Sequence, residues 1–364
     1  MQRENPEFIK YVSMPFSMEL CHIPACILYK QVKVHDMVYF DASGRTCGHP
    51  NIELNKKRIK DNQTPLRQNQ VLFYTTIAEK NESLLPLHMI VTEDHSAHNI
   101  GYHLKNFKIE CVKSKIWPIF RKVIIDFSSA LNIALNFAYN DFPMNATTDS
   151  YLKFCFEIIS KQIVLPKWFI VVQGCCAHLA KIISFDLERF HPGINKKTKH
   201  IIQESMAFAT TTSDLEIQGK WWKYFCIIFG SKKYTPEVSE AITKMFSLIN
   251  YNESETNTEK ESMDNSKKNT AVYHDEKIIY KNSPFFQHFK EISDKLKTTM
   301  DKDAPTDNEH YIEGLIDHYL QKYMYNICFW SNSMGCLIES GGKLNNIKQN
   351  IKNLLSSVQL ASIS

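Results

Sequence analysis

Residues 122–135, KVIIDFSSALNIAL, change period half-way along. Lys122 to Asp126 is a short β-branched run, apolar on both faces, which is the pattern of a central strand. Ser128 is placed to cap a helix. On that helix Ala130, Ala134, Phe137 and Ala138 share one face, and small residues there allow a helix to lie close to a sheet. A strand that turns directly into a helix is half of a crossover unit, so the fold class is α/β. Upstream, MVYFD (37–41) is a β-rich run stopped by Ala42, Ser43 and Gly44. VLFYTTIA (71–78) and LLPLHMIV (84–91) are two further strands, the latter with its proline near the start, where a strand tolerates it. Residues 96–107 place Ile100, His103, Leu104 and Phe107 on one helical face. Downstream, WFIVVQ (168–173) is a fifth strand and 175–190 is helical again.

The order is three strands, helix, strand, helix, strand, helix. Three consecutive strands suggest a meander, and the later alternation suggests crossovers. This is the element order of an RNase H-like mixed five-stranded sheet flanked by helices. Residues 1–30 show no clear period and are expected to be an N-terminal extension to a core spanning 31–190. Beyond Phe190 the pattern is helical, so 191–330 is expected to be a large, mostly helical insertion, with the polar stretch 251–275 a disordered linker. Residues 331–364 are expected to be a C-terminal helical segment.

The bulk properties set limits. With 364 residues, 43% of them hydrophobic, the chain can bury a sizeable core. A net charge of +4 permits nucleic-acid binding without announcing it. Ten scattered cysteines in so long a chain are not a disulfide scaffold and point to a reducing compartment, cytosol or nucleus. The first residues lack the apolar core of a signal peptide. The most apolar stretch, 163–183, is interrupted by Lys167, Gln173 and His178, so no membrane partner is expected.

Asp41 ends the first strand of the core and Asp126 the fourth. In a sheet of this order those strands are neighbours, and two carboxylates at the same end of adjacent strands can share a metal. Phosphoryl transfer on DNA uses such a pair with a third acid to hold two Mg²⁺ ions (or Mn²⁺), which take oxygen ligands. Either aspartate alone reads as a turn or cap residue; the case rests on both falling at matching points.

The segments VYFDASGRT, LPLHMIVTEDHSAHNIGYHLKNFK, VIIDFSSALNIAL and GCCAHL together resemble the transposases of Mutator-like elements, the insect-type group in particular. The likeness covers residues 30–190 well and the helical remainder loosely. It implies an RNase H-like catalytic core acting in the nucleus, with DNA (element ends and target) and further copies of the chain as partners. The family's first two catalytic acids fall on Asp41 and Asp126, and its Cys-x-x-His motif on Cys175 and His178, beside the active site. The third acid follows a helical insertion in an Asn-x-x-Glu context. The first choice here is Glu339, although its spacing from Asn332 departs from the pattern; Glu216 comes second and Glu188 third.

Other features read more plainly. Cys175 and His178 also fit a helix start with small buried residues. Cys21, Cys26, Cys47 and His49 suit tetrahedral Zn²⁺ by type, but their spacing matches no compact finger. Glu93, Asp94, His95 and His98 lie where acids favour a helix dipole. Lys56, Lys57 and Arg58, like Lys196, Lys197 and Lys199, suit either phosphate contacts or solvated surface. No phosphate loop, dinucleotide fingerprint, zincin motif or nucleophile elbow occurs. Two functions therefore compete: DNA cleavage and strand transfer, and a catalytically inactive relative kept as a DNA-binding or protein-interaction module.

Overall fold

The computed structural model describes residues 9–13, 16–32, 37–44, 71–80, 83–161, 163–253 and 280–339. The chain divides into a sheet unit, Met1–Thr148 with Pro166–Gln173, and a helical unit, Asp149–Leu165 with Gly174–Ser364.

The sheet unit is α/β. Its strands are β1 (Ile9–Ser13), β2 (Ser17–Cys21), β3 (Met37–Gly44), β4 (Leu72–Lys80), β5 (Ser83–Thr92), β6 (Lys122–Ile125) and β7 (Val171–Gly174). They form one mixed seven-stranded sheet in the order β1-β2-β5-β4-β3-β6-β7. The pairs from β1 through β3 are antiparallel, whereas β3 and β6 are parallel. The helices are α1 (Ile23–Val32), α2 (Ala97–Lys113) and α3 (Ser129–Asn140). Both expected caps form: the Ser96 hydroxyl accepts from the Asn99 N–H, and that of Ser128 from the Leu131 N–H. Along β6 and the start of β3, Val38, Phe40, Val123 and Ile125 are buried and their neighbours half-buried, the alternation of a pleated sheet. The small face of α3 serves a helix contact: a Cβ on Gly101 of α2 would sit 3.4 Å from the Ala134 Cα and 3.0 Å from Phe137.

Two expectations need correction. The sheet has seven strands instead of five, because residues 9–21 add a hairpin to the β5 edge. In β2 it is Ser17, Glu19 and Cys21 that are buried, with Met18 and Leu20 half-exposed. The buried face is the polar one, so the hydrophobic alternation that marks a strand is inverted. The last strand also starts later than residue 168. The Asn140 amide accepts from the Ile170 N–H and donates to the Ile170 carbonyl, each at 2.8 Å. With both backbone groups of Ile170 engaged, strand pairing begins at Val171, whose N–H donates to the Arg121 carbonyl at 2.8 Å.

Burying Glu19, which is 1% exposed, requires partners. Its carboxylate is bridged by His88 Nε2 of β5 at 3.2 Å and His103 Nδ1 of α2 at 3.0 Å. The His103 Nε2 meets the Ser17 hydroxyl at 2.6 Å, and the His88 ring stacks on Phe107. One hydrogen-bonded cluster thereby ties β2, β5 and α2 together.

In the helical unit the described part of 195–330 is helical apart from loops and an isolated bridge between Lys233 and Asp307. Chain order gives α4 (Thr147–Ile159), which runs in from the sheet unit, then α5 (Cys176–Phe190), α6 (Lys196–Thr211), α7 (Leu215–Gly230), α8 (Pro236–Glu253), α9 (Pro284–Lys295), α10 (Lys297–Met300), α11 (Leu315–Lys322), α12 (Ile327–Trp330) and α13 (Gly335–Glu339). Trp221, Trp222, Phe225 and Phe229 of α7 pack with Phe289 and Tyr319 into an aromatic core. The helix α8 continues to Glu253, inside the stretch expected to be a linker; the remainder of 251–275 lies outside the described residues. Among the described residues no helix is long and apolar enough to cross a membrane.

Burial alone would raise the Glu19 carboxyl above its ordinary 4.5, but the bonds from His103 and His88 outweigh it and bring it to about 2. The folded value is the lower one, so this stabilisation is complete above pH 4.5 and is lost as pH falls through about 2. Urea unfolding measured across that window should show the native chain losing more stability than Glu19→Gln. At neutral pH, Glu19→Ala strips two buried imidazoles of their acceptor and should cost about 3–5 kcal/mol.

Candidate functional site

The parallel register of β3 and β6 sets Met37 beside Lys122 and ends at Phe40 beside Ile125. The next residue along each chain is Asp41 and Asp126. Adjacent strands lie about 4.8 Å apart, so the backbones of the two aspartates are neighbours where β6 ends beside β3. The chain order reverses here: from β3 it runs outward through β4 and β5, then returns to β3's other side for β6 and β7. Open α/β sheets bind ligands at such a switch point, outside the carboxyl ends of the strands.

The two aspartates sit differently. Asp41 does not end its strand. β3 runs on to Gly44, paired with β4 through Asp41 beside Thr75 and Ala42 beside Tyr74. What stops after Phe40 is the partner β6. Asp41 is exposed, and its Oδ1 accepts from the Ala42 N–H at 2.7 Å. Asp126 is half-buried in the turn from β6 into α3, where its carbonyl accepts from the Ser128 N–H at 2.7 Å. The donor set, two carboxylates with one open to solvent, fits a hard divalent cation and not a soft one.

Among the described residues no group of three His, Cys, Asp or Glu side chains is placed to hold a metal ion. Glu216, in the first turn of α7, pairs with Lys220 at 2.8 Å, and Glu188 on α5 pairs with Lys199 at 2.7 Å. Glu339 is the last residue of α13, and its side chain lies outside the described part of the structure.

Cys175 is the N-cap residue of α5, half-buried, with His178 one turn on. Burial would push its thiol up, but hydrogen bonding to the His178 imidazole and to the backbone of His178 and Ala177 holds it below the ordinary 9.0. Of the zinc-type set, Cys47 and His49 lie outside the described residues. Cys21 and Cys26 are buried with Cys111, whose hydrogen bond to Cys26, together with burial, pushes the Cys26 thiol well up. The cluster after β5 fastens its own loop. Glu93 accepts from the Phe16 N–H at 2.8 Å, Asp94 from the Ser96 N–H at 3.0 Å, and His95 Nδ1 lies 3.1 Å from the Tyr74 hydroxyl. Lys56, Lys57 and Arg58 lie outside the described residues. Lys196, Lys197 and Lys199 form the first turn of α6, with Lys197 bound to Glu309 and Lys199 to Glu188.

Sequence reasoning missed the Ser17, His103, Glu19 and His88 cluster. It has the hydroxyl–imidazole–carboxylate order of a serine hydrolase. Ser17, Glu19, His88 and His103 are each no more than 2% exposed, and their bonds join β2, β5 and α2. The signal available in sequence was His88 inside an otherwise apolar strand, a polar residue that burial obliges to find a partner.

No family model, no curated protein and no solved structure matches this chain.

Because the Cys175 thiol is held below 9.0, its alkylation by iodoacetamide, followed by peptide mass spectrometry, should reach half its maximal rate below pH 9.0. His178→Ala should move that midpoint upward.

Proposed function

We propose that this chain is a transposase-type DNA phosphoryl transferase whose metal site is built on Asp41 and Asp126. The carrying observation is their position, each one residue beyond the Phe40–Ile125 pair where the parallel pairing of β3 with β6 ends, at the switch point of the sheet. Two further points support it. The strands β5-β4-β3-β6-β7 stand in the order of an RNase H-like sheet, with the first strand of that set in the middle. The segments around both aspartates are also those that resemble Mutator-like element transposases.

In this reading Asp41 and Asp126 hold Mg²⁺ or Mn²⁺ between them. The bound metal supplies activation of the attacking oxygen and charge neutralisation at the phosphate and leaving oxygen. Asp126 is the more fixed ligand, anchored in a turn that α3 caps immediately behind it. Asp41 is the more open one, on a strand edge that substrate can approach. The substrate is DNA, in the form of element ends and a target, in the nucleus, handled by more than one copy of the chain. Glu339 remains the first candidate for the third ligand.

A second reading, an inactive relative that keeps DNA or protein binding, is favoured by the ion pairs that occupy Glu188 and Glu216, two of the three candidates for the third acid. A nicking assay on supercoiled DNA in Mg²⁺ or Mn²⁺ separates the two. Metal-dependent cleavage that falls at least roughly 100-fold in Asp41→Asn and in Asp126→Asn, with unchanged circular dichroism and metal-free stability at least that of the native chain, supports the enzyme. Undiminished cleavage by the double variant overturns it. No cleavage by the native chain with either metal selects the second reading.

A further inference from the structure

The turn between α5 and α6 places a titratable ring where it has no counter-charge of its own. His191, the residue that follows α5, is half-buried, and its Nε2 is buried without a hydrogen-bond partner. Its ring lies 6.1 Å from that of His318 on α11, edge to face. The acid that faces this pair is the buried Asp186 of α5, and it is already engaged. The Tyr323 hydroxyl donates to it, Lys322 Nζ lies 2.7 Å and 2.8 Å from its two oxygens, and His318 Nε2 stands 3.5 Å away. Arg189 brings a second fixed cation, 5.0 Å from the Phe190 ring that borders His318. From α6, Lys199 is paired with Glu188 at 2.7 Å. With both imidazoles neutral, the Asp186 charge thus faces the two cations Lys322 and Arg189; with both protonated it faces four.

The backbone of the turn is lightly fastened. The His191 N–H donates to the Leu187 carbonyl at 3.2 Å and the Ile194 N–H to the His191 carbonyl at 3.4 Å, at and beyond the long end of the normal range. Pro192 and Gly193 are exposed, and Gly193 holds a φ of +102° with no atom within 4 Å of where a Cβ would sit.

We propose that His191 is an acid-sensitive latch, whose protonation drives its ring out of the contact with His318 and frees the turn at 191–195. A charged imidazole carries two N–H donors. Kept in place, it would bury one of them without an acceptor and set a second positive ring against His318, while turning to solvent satisfies both. Burial and His318 together hold the His191 imidazole below its ordinary 6.5, against the pull of Asp186. The folded value is the lower one, so the latch is closed above pH 6.5 and opens as pH falls through that lower value. Leu315 and Tyr319 are buried, so α11 keeps its seat and the turn is the part that moves. The inference concerns the helical unit and does not rest on Asp41 and Asp126.

The test is hydrogen–deuterium exchange of the full chain at about pH 8 and about pH 5, the span over which histidines titrate, with each rate corrected for intrinsic exchange at that pH. Peptides covering 188–197 should lose protection roughly tenfold, while those of α7 keep theirs. His191→Phe keeps an aromatic ring that takes no proton and should hold the loss below about twofold. In the native chain, an imidazole NMR titration should place the His191 midpoint below 6.5. Unchanged protection at 188–197, an equal loss across α7, the same loss in His191→Phe, or a His191 midpoint at or above 6.5 would each overturn the proposal.

Discussion

Parallel strands cannot be joined by a tight turn, so β3 and β6 meet only after the chain has built β4, β5 and α2 between them. Their backbone register, Val38 beside Val123 and Phe40 beside Ile125, fixes which residues of both strands face the core. Once those four apolar side chains share one buried face, Asp41 and Asp126 must emerge side by side at the same end. A slip of one residue in either strand would turn a carboxylate toward the core. The proximity of the two aspartates is thus enforced by hydrophobic burial several residues away, and it needs no direct bond between them.

The β4–β5 ladder, the caps at Ser96 and Ser128 and the adjacency of β3 and β6 were legible because each obeys a local rule of period or capping. The β1–β2 hairpin was not legible, because its buried positions are Ser17, Glu19 and Cys21 and its apolar residues face outward. Such a strand is recognisable only with its partners His88 and His103, which stand far from it in sequence. The start of β7 was hidden for a related reason: an asparagine side chain on α3 takes the place of a neighbouring strand at Ile170. Of the candidate site, the adjacency of Asp41 and Asp126 could be read because the pairing of β3 with β6 alone places them. A third acid on a helix has no period to betray it.

A buried carboxylate is costly to desolvate and must be matched by hydrogen-bond donors. Glu19 can sit in the sheet only where two imidazoles reach it. The hairpin therefore has one register on β5, which a purely apolar edge strand would not guarantee. The same cluster leaves β2 with a face that is costly to expose or to pair elsewhere.

The sheet unit is discontinuous in sequence: α4 leads the chain away after Thr148, and Pro166–Gln173 brings it back for one strand. A ribosome delivers residues in order, at about 5–20 per second. The nascent chain can therefore assemble β1 to β6, but β6 waits with one edge bare until the excursion has been translated. That edge holds Val123 and Ile125 in a half-finished sheet, a surface prone to wrong pairing. Asn140 is already in place beside it, on a helix made earlier, with an amide ready to receive Ile170 as it emerges. Closure of the last strand is thus a templated step, and the interval before it is when the newborn protein most needs shelter from other chains.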